Sequence, residues 1–145
     1  MITYEPFAWW HIADVTRLED ALFPASPWSE GQFWAELASE QRMMLVAKAA
    51  SDVVGYAGIN LSDEEPEIMT IAVRPDHQGQ GIGAEFMRRM LAAADARAAR
   101  RVLLEVEVGN ASAIALYERF GFVRNGVRRD YYGLGIDAVL MERHV

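Results

Sequence analysis

Three glycines at alternate positions, Gly79, Gly81 and Gly83, mark the stretch of this sequence best suited to binding an anion. They follow an apolar run that ends at Val73 and precede apolar residues that repeat at helical spacing from Phe86 onwards. A strand, a glycine-rich turn and a helix start bring unpaired backbone amides together with the positive end of the helix dipole. Because glycine has no side chain, a phosphate can approach this backbone closely. The stretch therefore predicts a phosphate-binding loop.

The spacing of these glycines narrows the choice of ligand. No Gly-Lys-Ser/Thr follows the last glycine, as a Walker A loop requires, and the G-x-G-x-G pattern lacks the G-x-G-x-x-G spacing of dinucleotide-binding folds. Read from Gln78 as Q-x-x-G-x-G, the loop resembles the pyrophosphate loop of the GNAT family of N-acetyltransferases, which hold acetyl-coenzyme A. On this motif alone, a glycine-rich turn that binds nothing is the alternative.

A second block of the sequence carries the same resemblance. Residues 101–122 read RVLLEVEVGNASAIALYERFGF, which resembles the family's segment LEV…N..A..LYE..GF nearly residue for residue. Pro27-Trp28-Ser29 and residues 128–141 narrow the resemblance to the RimI-type protein N-terminal acetyltransferases, which in bacteria include the ribosomal-protein alanine acetyltransferase. The similar segments extend from about residue 27 to residue 141.

The resemblance implies direct attack of an amine on the thioester of acetyl-coenzyme A. The amine must lose a proton before attack, the leaving thiolate must gain one, and the carbonyl oxygen needs a hydrogen-bond donor. The resemblance assigns the general base to Glu105 and the general acid to Tyr117. Tyr117 follows Asn110 by two helical turns, so the two side chains can face one ligand. Without the resemblance, Glu105 could be a solvated strand carboxylate and Tyr117 a core tyrosine.

The sequence departs from the family pattern beside the expected base. Family members often carry arginine two residues after this glutamate, whereas this sequence has Glu107. In a regular strand the side chains of Glu105 and Glu107 share a face. We assign the base to Glu105, and the sequence leaves Glu107 as the alternative.

The resemblance also implies which residues hold the two substrates. The backbone of Ile71, Ala72 and Val73 is expected to bind the pantetheine arm as an added strand, and Asn110 to contact the end of that arm. The pyrophosphate is expected to bind the backbone amides of Gln78, Gly79, Gln80, Gly81, Ile82, Gly83 and Ala84. The partner is expected to be a protein or peptide N-terminus, with a ribosomal protein as the first candidate. Its groove is expected to lie between two aromatic segments, Pro27 with Trp28 and Tyr131 with Tyr132.

Two other function classes share parts of this pattern. An N-acetyltransferase of small-molecule amines would have the same cofactor half and would differ at the aromatic groove. A non-catalytic acetyl-coenzyme A sensor would be expected to lack the glutamate or the tyrosine, and both are present. Residues 1–70 hold 12 acidic and 3 basic side chains, and we expect Glu19, Asp20 and Glu30 beside the groove to attract basic peptides.

Composition sets further limits. The 145 residues suit one domain, residues 1–145, and the net charge of −7 argues against a nucleic-acid partner. We expect no membrane partner and a cytoplasmic location, because no apolar run approaches the length of a membrane span and the sequence starts without a basic signal-like segment. No cysteine is present and the three histidines lack ligand spacing, so no metal is expected.

The periodicity predicts an α/β protein with the order β-α-α-β-β-β-α-β-α-β-β. The resemblance makes this the GNAT fold, a mixed, mostly antiparallel sheet with helices packed on both faces. The predicted late strands cover residues 122–128 and 132–142, and Ser29 and Asn110 are predicted to cap helices.

Overall fold

The computed structural model describes residues 1–62 and 64–144. The strands of this part are β1 (Ile2–Pro6), β2 (Arg42–Ala49), β3 (Asp52–Asn60), β4 (Glu67–Val73), β5 (Arg101–Glu107), β6 (Val123–Arg128) and β7 (Ala138–His144). The α-helices are α1 (Ile12–Leu22), α2 (Glu30–Leu37), α3 (Ile82–Ala96) and α4 (Ala111–Arg119). The predicted order of elements and the α/β fold class are confirmed.

The strands form one sheet in the order β1-β2-β3-β4-β5-β7-β6. Neighbouring strands are antiparallel, except for the parallel pair β4 and β5. Alternate residues of β2 enter two separate buried clusters, Leu45 and Ala47 in one and Met44 and Val46 in the other. Because alternate residues of a strand point to opposite faces, the clusters lie on opposite sides of the sheet. Helices α3 and α4 pack in the first cluster and α1 and α2 in the second, so helices cover both faces as predicted.

Local sequence signals set the helix ends near the site. The Ser29 hydroxyl accepts a hydrogen bond from the Gln32 amide while the Gln32 side chain accepts one from the Ser29 amide, which is the predicted capping box. Asn110 caps α4 by accepting a hydrogen bond from the Ala113 amide. Gly121 follows α4 with φ +91°, the left-handed conformation in which glycine often ends a helix.

The prediction of a strand from Tyr132 was wrong, because β7 begins only at Ala138. The intervening segment folds into turns around the carboxylates of two aspartates. Asp130 accepts a hydrogen bond from the Gly135 amide, and Asp137 accepts one from the Asp130 amide. Gly133 and Gly135 have positive φ, which an extended strand does not allow. The first helix, predicted from Trp10 to Phe23, instead begins as a short 3-10 helix over Trp9–His11 that leads into α1.

The feature that organises the site is an opening between β4 and β5. These two parallel strands pair only where Glu67 meets Leu103 and Ile68 meets Leu104, with no further pairing between them in the described chain. The outer edge of β4 pairs with β3 as far as Val73, and β5 pairs with β7 along its whole length. The facing edges therefore part after two residues, and the end of β4 keeps one edge free of sheet pairing.

Candidate active site

The glycine loop lies at the end of β4, between a 3-10 turn (Pro75–His77) and α3. Gly79 and Gly81 have φ +78° and +84°, and a Cβ added at either would meet no atom within 4 Å. Gly81 is the N-cap of α3, and no side chain caps that end of the helix. The loop thus leaves open space above the first-turn amides of a 15-residue helix, an arrangement that suits an anion.

The third glycine has a different structural role. A Cβ at Gly83 would lie 3.1 Å from Cδ2 of Leu116 on α4. Gly83 therefore allows α3 and α4 to approach closely, and α4 carries Asn110 at its cap and Tyr117 in its body. The sequence pattern could not separate this packing role from the two open positions.

Side chains before the loop hold the 3-10 turn in place. Arg74 donates hydrogen bonds of 2.7 and 3.1 Å to the two carboxylate oxygens of Asp76. These bonds, together with the His77 side chain, lower the pKa of Asp76 to about 2. The Gln78 side-chain amide donates a 3.0 Å hydrogen bond to the backbone carbonyl of Val73. A carbonyl oxygen has two lone pairs, so Val73 can still accept a second hydrogen bond at the free edge of β4.

Glu105 lies on β5 at the opposite side of the opening, with its side chain 18% exposed. Arg128 of β6 donates a 2.8 Å hydrogen bond to Oε1 of Glu105. The other oxygen, Oε2, is buried and has no hydrogen-bond partner among the described residues. The Arg128 guanidinium also stacks 4.4 Å from the centre of the Tyr131 ring. Arg128 thus fixes the carboxylate by one oxygen and leaves the other without a donor.

The two adjacent tyrosines gather around the same strand. The Tyr132 hydroxyl donates a 3.1 Å hydrogen bond to the backbone carbonyl of Glu105. Burial raises the pKa of Tyr132, and the charges of four neighbouring groups raise it further: Tyr131, Glu105, Tyr117 and Glu107. All four groups therefore lie within electrostatic range of one hydroxyl. The nearby Glu105 carboxylate raises the pKa of Tyr131, and burial also contributes.

The expected acid and the alternative base differ in exposure. Tyr117 is 7% exposed in α4, and burial raises the pKa of its hydroxyl to about 12. A tyrosine in that state remains a proton donor at neutral pH. Glu107 is exposed at the last position of β5, whereas Glu105 is partly buried. Because both project from one strand two positions apart, they share a face as expected.

The aromatic segments expected to form the groove each pack on a different ring. Tyr131 packs on Tyr132 with ring centres 4.9 Å apart, and Trp28 packs on Phe33 at 5.3 Å. No ring contact among the described residues joins the two pairs. Pro27 is exposed in the loop between α1 and α2, and Trp28 is partly buried there.

Of the three acidic residues expected to attract basic peptides beside the groove, one was wrongly predicted. Glu19 is only 4% exposed, and both of its oxygens accept hydrogen bonds, from the Tyr56 hydroxyl and from the Trp28 amide. Asp20 and Glu30 are exposed as expected. Sequence reasoning missed the partners Arg128 and Tyr56, since neither lies near its carboxylate in sequence.

The described residues show neither a metal-binding cluster nor a membrane-spanning helix. No cluster of three or more histidine or acidic side chains there could hold a metal ion. None of the helices in residues 1–62 and 64–144 has the length and apolar character that crossing a membrane requires.

Comparison with known proteins places this arrangement in a family. The family model described as the acetyltransferase (GNAT) family matches residues 12–122. The N-alpha-acetyltransferase RimI of Mycobacterium tuberculosis is 41% identical over 140 residues, which cover 90% of this chain and 87% of that protein. A putative ribosomal protein bS18-alanine N-acetyltransferase of Bacillus subtilis is 34% identical over 132 residues, with 90% and 87% covered.

A solved structure of a protein with a related name has the same fold as this chain. The crystal structure of the ribosomal-protein-S18-alanine N-acetyltransferase from Escherichia coli superposes with a TM-score of 0.88 at 28% identity, covering 100% of this chain and 94% of that one. The family match spans most of the chain, and the Mycobacterium tuberculosis relative is 41% identical over 90% of the chain. The chain therefore belongs to the acetyltransferase (GNAT) family and is an acetyltransferase of RimI type.

Proposed function

We propose that the protein transfers the acetyl group of acetyl-coenzyme A to the α-amino group of a protein N-terminus. The observation that carries this proposal is the opening between β4 and β5, which has a free strand edge and a glycine loop on one side and Glu105 on the other. The relatives named for ribosomal protein alanine acetylation support a protein N-terminus as the acceptor.

Acetyl-coenzyme A fits this opening as the cosubstrate. Its pantetheine amides would pair with the free edge of β4 at Ile71, Ala72 and Val73, as an added strand does. Its pyrophosphate would bind the amides of residues 78–84, where Gly79 and Gly81 leave room that a Cβ would fill. Asn110, exposed at the cap of α4, would contact the end of the pantetheine arm. The thioester would then lie in the opening, beside Glu105.

In the proposed reaction, Glu105 accepts a proton from the α-ammonium group of the peptide. Arg128 is bonded to Oε1, and Oε2 has no hydrogen-bond partner among the described residues, so the carboxylate keeps acceptor capacity for this proton. The neutral amine forms a bond to the carbonyl carbon of the thioester, and the bond from carbon to sulfur breaks. Tyr117 donates its proton to the leaving thiolate, which gives coenzyme A. The nitrogen, which becomes positively charged on attack, gives its second proton to the Tyr117 phenolate and becomes the neutral amide of the acetylated N-terminus. The proton held by Glu105 then passes to solvent. Holding the two reactants together supplies much of the remaining acceleration.

The acid role of Tyr117 predicts a particular pH dependence. Because burial raises its pKa to about 12, the hydroxyl stays protonated well above pH 10. We expect kcat to show no decline between about pH 9 and pH 10.5, where a tyrosine with an ordinary pKa near 10 would lose its proton. We expect Tyr117→Phe to lower kcat about 10²-fold or more, with a smaller loss in cofactor binding. Steady-state kinetics at saturating substrates measures both; a decline in kcat centred near pH 10 in the wild type would argue against this acid.

The substrate prediction concerns the sequence of the peptide. We expect peptides that begin with alanine or serine to be preferred, because the aromatic segments at Trp28 and Tyr131 leave little room beside the attacking amine. Arginine or lysine soon after the N-terminus should increase the rate, since residues 1–70 carry 12 acidic and 3 basic side chains. Asp20 and Glu30 are the exposed acids next to the Trp28 loop. Attraction by exposed charges weakens as salt is added, so this advantage should shrink at high ionic strength.

The experiment is a competition among amines for limiting acetyl-coenzyme A, with products identified by mass spectrometry. The panel contains basic and neutral peptides with matched N-terminal residues, free lysine, a polyamine and an aminoglycoside. The neutral peptides are the control for the charge effect. If a polyamine or an aminoglycoside outcompetes every peptide, the protein is a small-molecule N-acetyltransferase and only the cofactor half of the proposal stands.

A further inference from the structure

The proposed reaction does not use the buried carboxylate of Glu19. Its side chain lies in α1 at 4% exposure, away from β5 and the base. Burying a carboxylate is unfavourable unless donors replace the lost water. Here the donors are the Tyr56 hydroxyl at Oε1 and the Trp28 backbone amide, 2.9 Å from Oε2. The carboxylate thus bridges a core strand and a loop.

The side chain of Trp28 is tied to the same place. Its ring packs on Phe33 at 5.3 Å, and Phe33 in turn packs edge-on against Tyr56 with ring centres 6.0 Å apart. Glu19, Tyr56, Phe33 and Trp28 therefore form a closed set of contacts. Within this set, only the bond from its amide to Glu19 holds the backbone of Trp28, while ring packing holds its side chain.

The other end of this set reaches the cofactor side of the opening. Tyr56 lies on β3 directly opposite Ala72 of β4, and both belong to the buried cluster beneath α1 and α2. Ala72 lies in the segment proposed to pair with the pantetheine arm. Two hydrogen bonds to one carboxylate thus connect the loop proposed for the peptide with the strand next to the segment proposed for the cofactor.

We propose that Glu19 is a positioning residue for the peptide: its side chain, extending from α1, fixes the backbone of the Trp28 loop and so sets peptide affinity without touching either substrate. This inference rests on the proposed function, because it assigns the Trp28 loop to the peptide groove. The two hydrogen bonds of Glu19 are expected to have different effects. The bond to Trp28 governs peptide binding, and the bond to Tyr56 governs the stability of the core.

Three variants separate a positioning role from a merely structural one. Glu19→Met keeps an unbranched side chain of similar size but leaves the Trp28 amide without an acceptor. Tyr56→Phe removes the other hydrogen bond and keeps the bond to Trp28. Glu19→Gln can satisfy both partners, because its amide oxygen can accept from Trp28 and its amide nitrogen can donate to the tyrosine oxygen. It is the conservative variant that should restore function.

The measurements are KM for an alanine-starting basic peptide, KM for acetyl-coenzyme A, kcat and the melting temperature. For Glu19→Met we expect peptide KM to rise about tenfold, a loss of binding free energy typical of a lost anchor, with KM for acetyl-coenzyme A unchanged. Tyr56→Phe should lower the melting temperature and leave peptide KM near that of the wild type. Glu19→Gln should keep peptide KM close to the wild-type value.

Equal rises in peptide KM for Glu19→Met and Tyr56→Phe would overturn the inference, as would a rise in KM for acetyl-coenzyme A alone. If Glu19→Met does not fold, the double variant Glu19→Met/Tyr56→Phe serves instead, because it leaves no buried tyrosine hydroxyl without an acceptor and still removes the acceptor of the Trp28 amide. An unchanged peptide KM in that variant would also overturn the inference. Acetylation of the peptide by the wild type tests the proposed function separately. If the wild type acetylates the peptide and the variants keep the wild-type peptide KM, the inference about Glu19 is wrong and the proposed function still stands.

Discussion

Replacing Glu105 with glutamine should lower turnover about 10²–10⁴-fold, the range expected when a general base is lost. Glutamine has nearly the same shape and can still accept the hydrogen bond that Arg128 donates to Oε1. It cannot take a proton from the α-ammonium group of the peptide. The fold and the affinity for acetyl-coenzyme A should therefore be nearly unchanged. Steady-state kinetics at saturating substrates gives the turnover, and calorimetry gives the cofactor affinity.

Glu107→Gln is the matched control for this variant. It makes the same chemical change two positions along β5, at an exposed side chain. We expect only a small effect on turnover. If Glu107→Gln proves the damaging change and Glu105→Gln the mild one, the base is Glu107, and Glu105 is instead a structural partner of Arg128.

Replacing Gly81 with glutamate should abolish detectable binding of acetyl-coenzyme A. A side chain here would enter the open space above the first turn of α3, and its negative charge would repel the pyrophosphate. The loop is exposed, so the sheet and the helices should keep their structure. Calorimetric titration with acetyl-coenzyme A measures the affinity, and thermal unfolding checks the fold.

Gly81→Ala controls for backbone strain. Gly81 has φ +84°, and any side chain in that left-handed conformation costs about 1–2 kcal/mol. The alanine and glutamate variants share this cost, so the difference between them reports the charge and the larger side chain. A folded glutamate variant that binds as tightly as the alanine variant would show that the pyrophosphate does not lie at this loop.

Much of the fold could be predicted because local signals agree with the tertiary structure. The cap residues Ser29 and Asn110 stand where helices begin, and the apolar run that ends at Val73 forms β4. The strand predicted from Tyr132 does not form between Tyr132 and Asp137, and the reason is physical. Tyr132, Leu134 and Ile136 alternate there as in a strand, but the Asp130 carboxylate bonds the Gly135 amide, and positive φ at Gly133 and Gly135 turns the backbone.

The site was less accessible to sequence reasoning because its partners meet only in the folded sheet. Arg128 pairs with Ala138 of β7, and Ala138 pairs with Glu107 of β5, so the guanidinium reaches across one strand to Glu105. This register cannot be read from the spacing of the two residues. Glu19 shows a second limit. In the sequence it is one acid among many, and only the helix packing shows that its side chain points into the core.

The most direct test of the proposed transfer compares two amines within one molecule. An alanine-starting peptide that also contains internal lysines is incubated with acetyl-coenzyme A and the protein, and tandem mass spectrometry locates the acetyl group. The proposed function predicts acetylation of the α-amino group with the lysines unmodified, and no product from the same peptide with a blocked N-terminus. Acetylation of the lysine side chains, with the α-amino group left free, would contradict it.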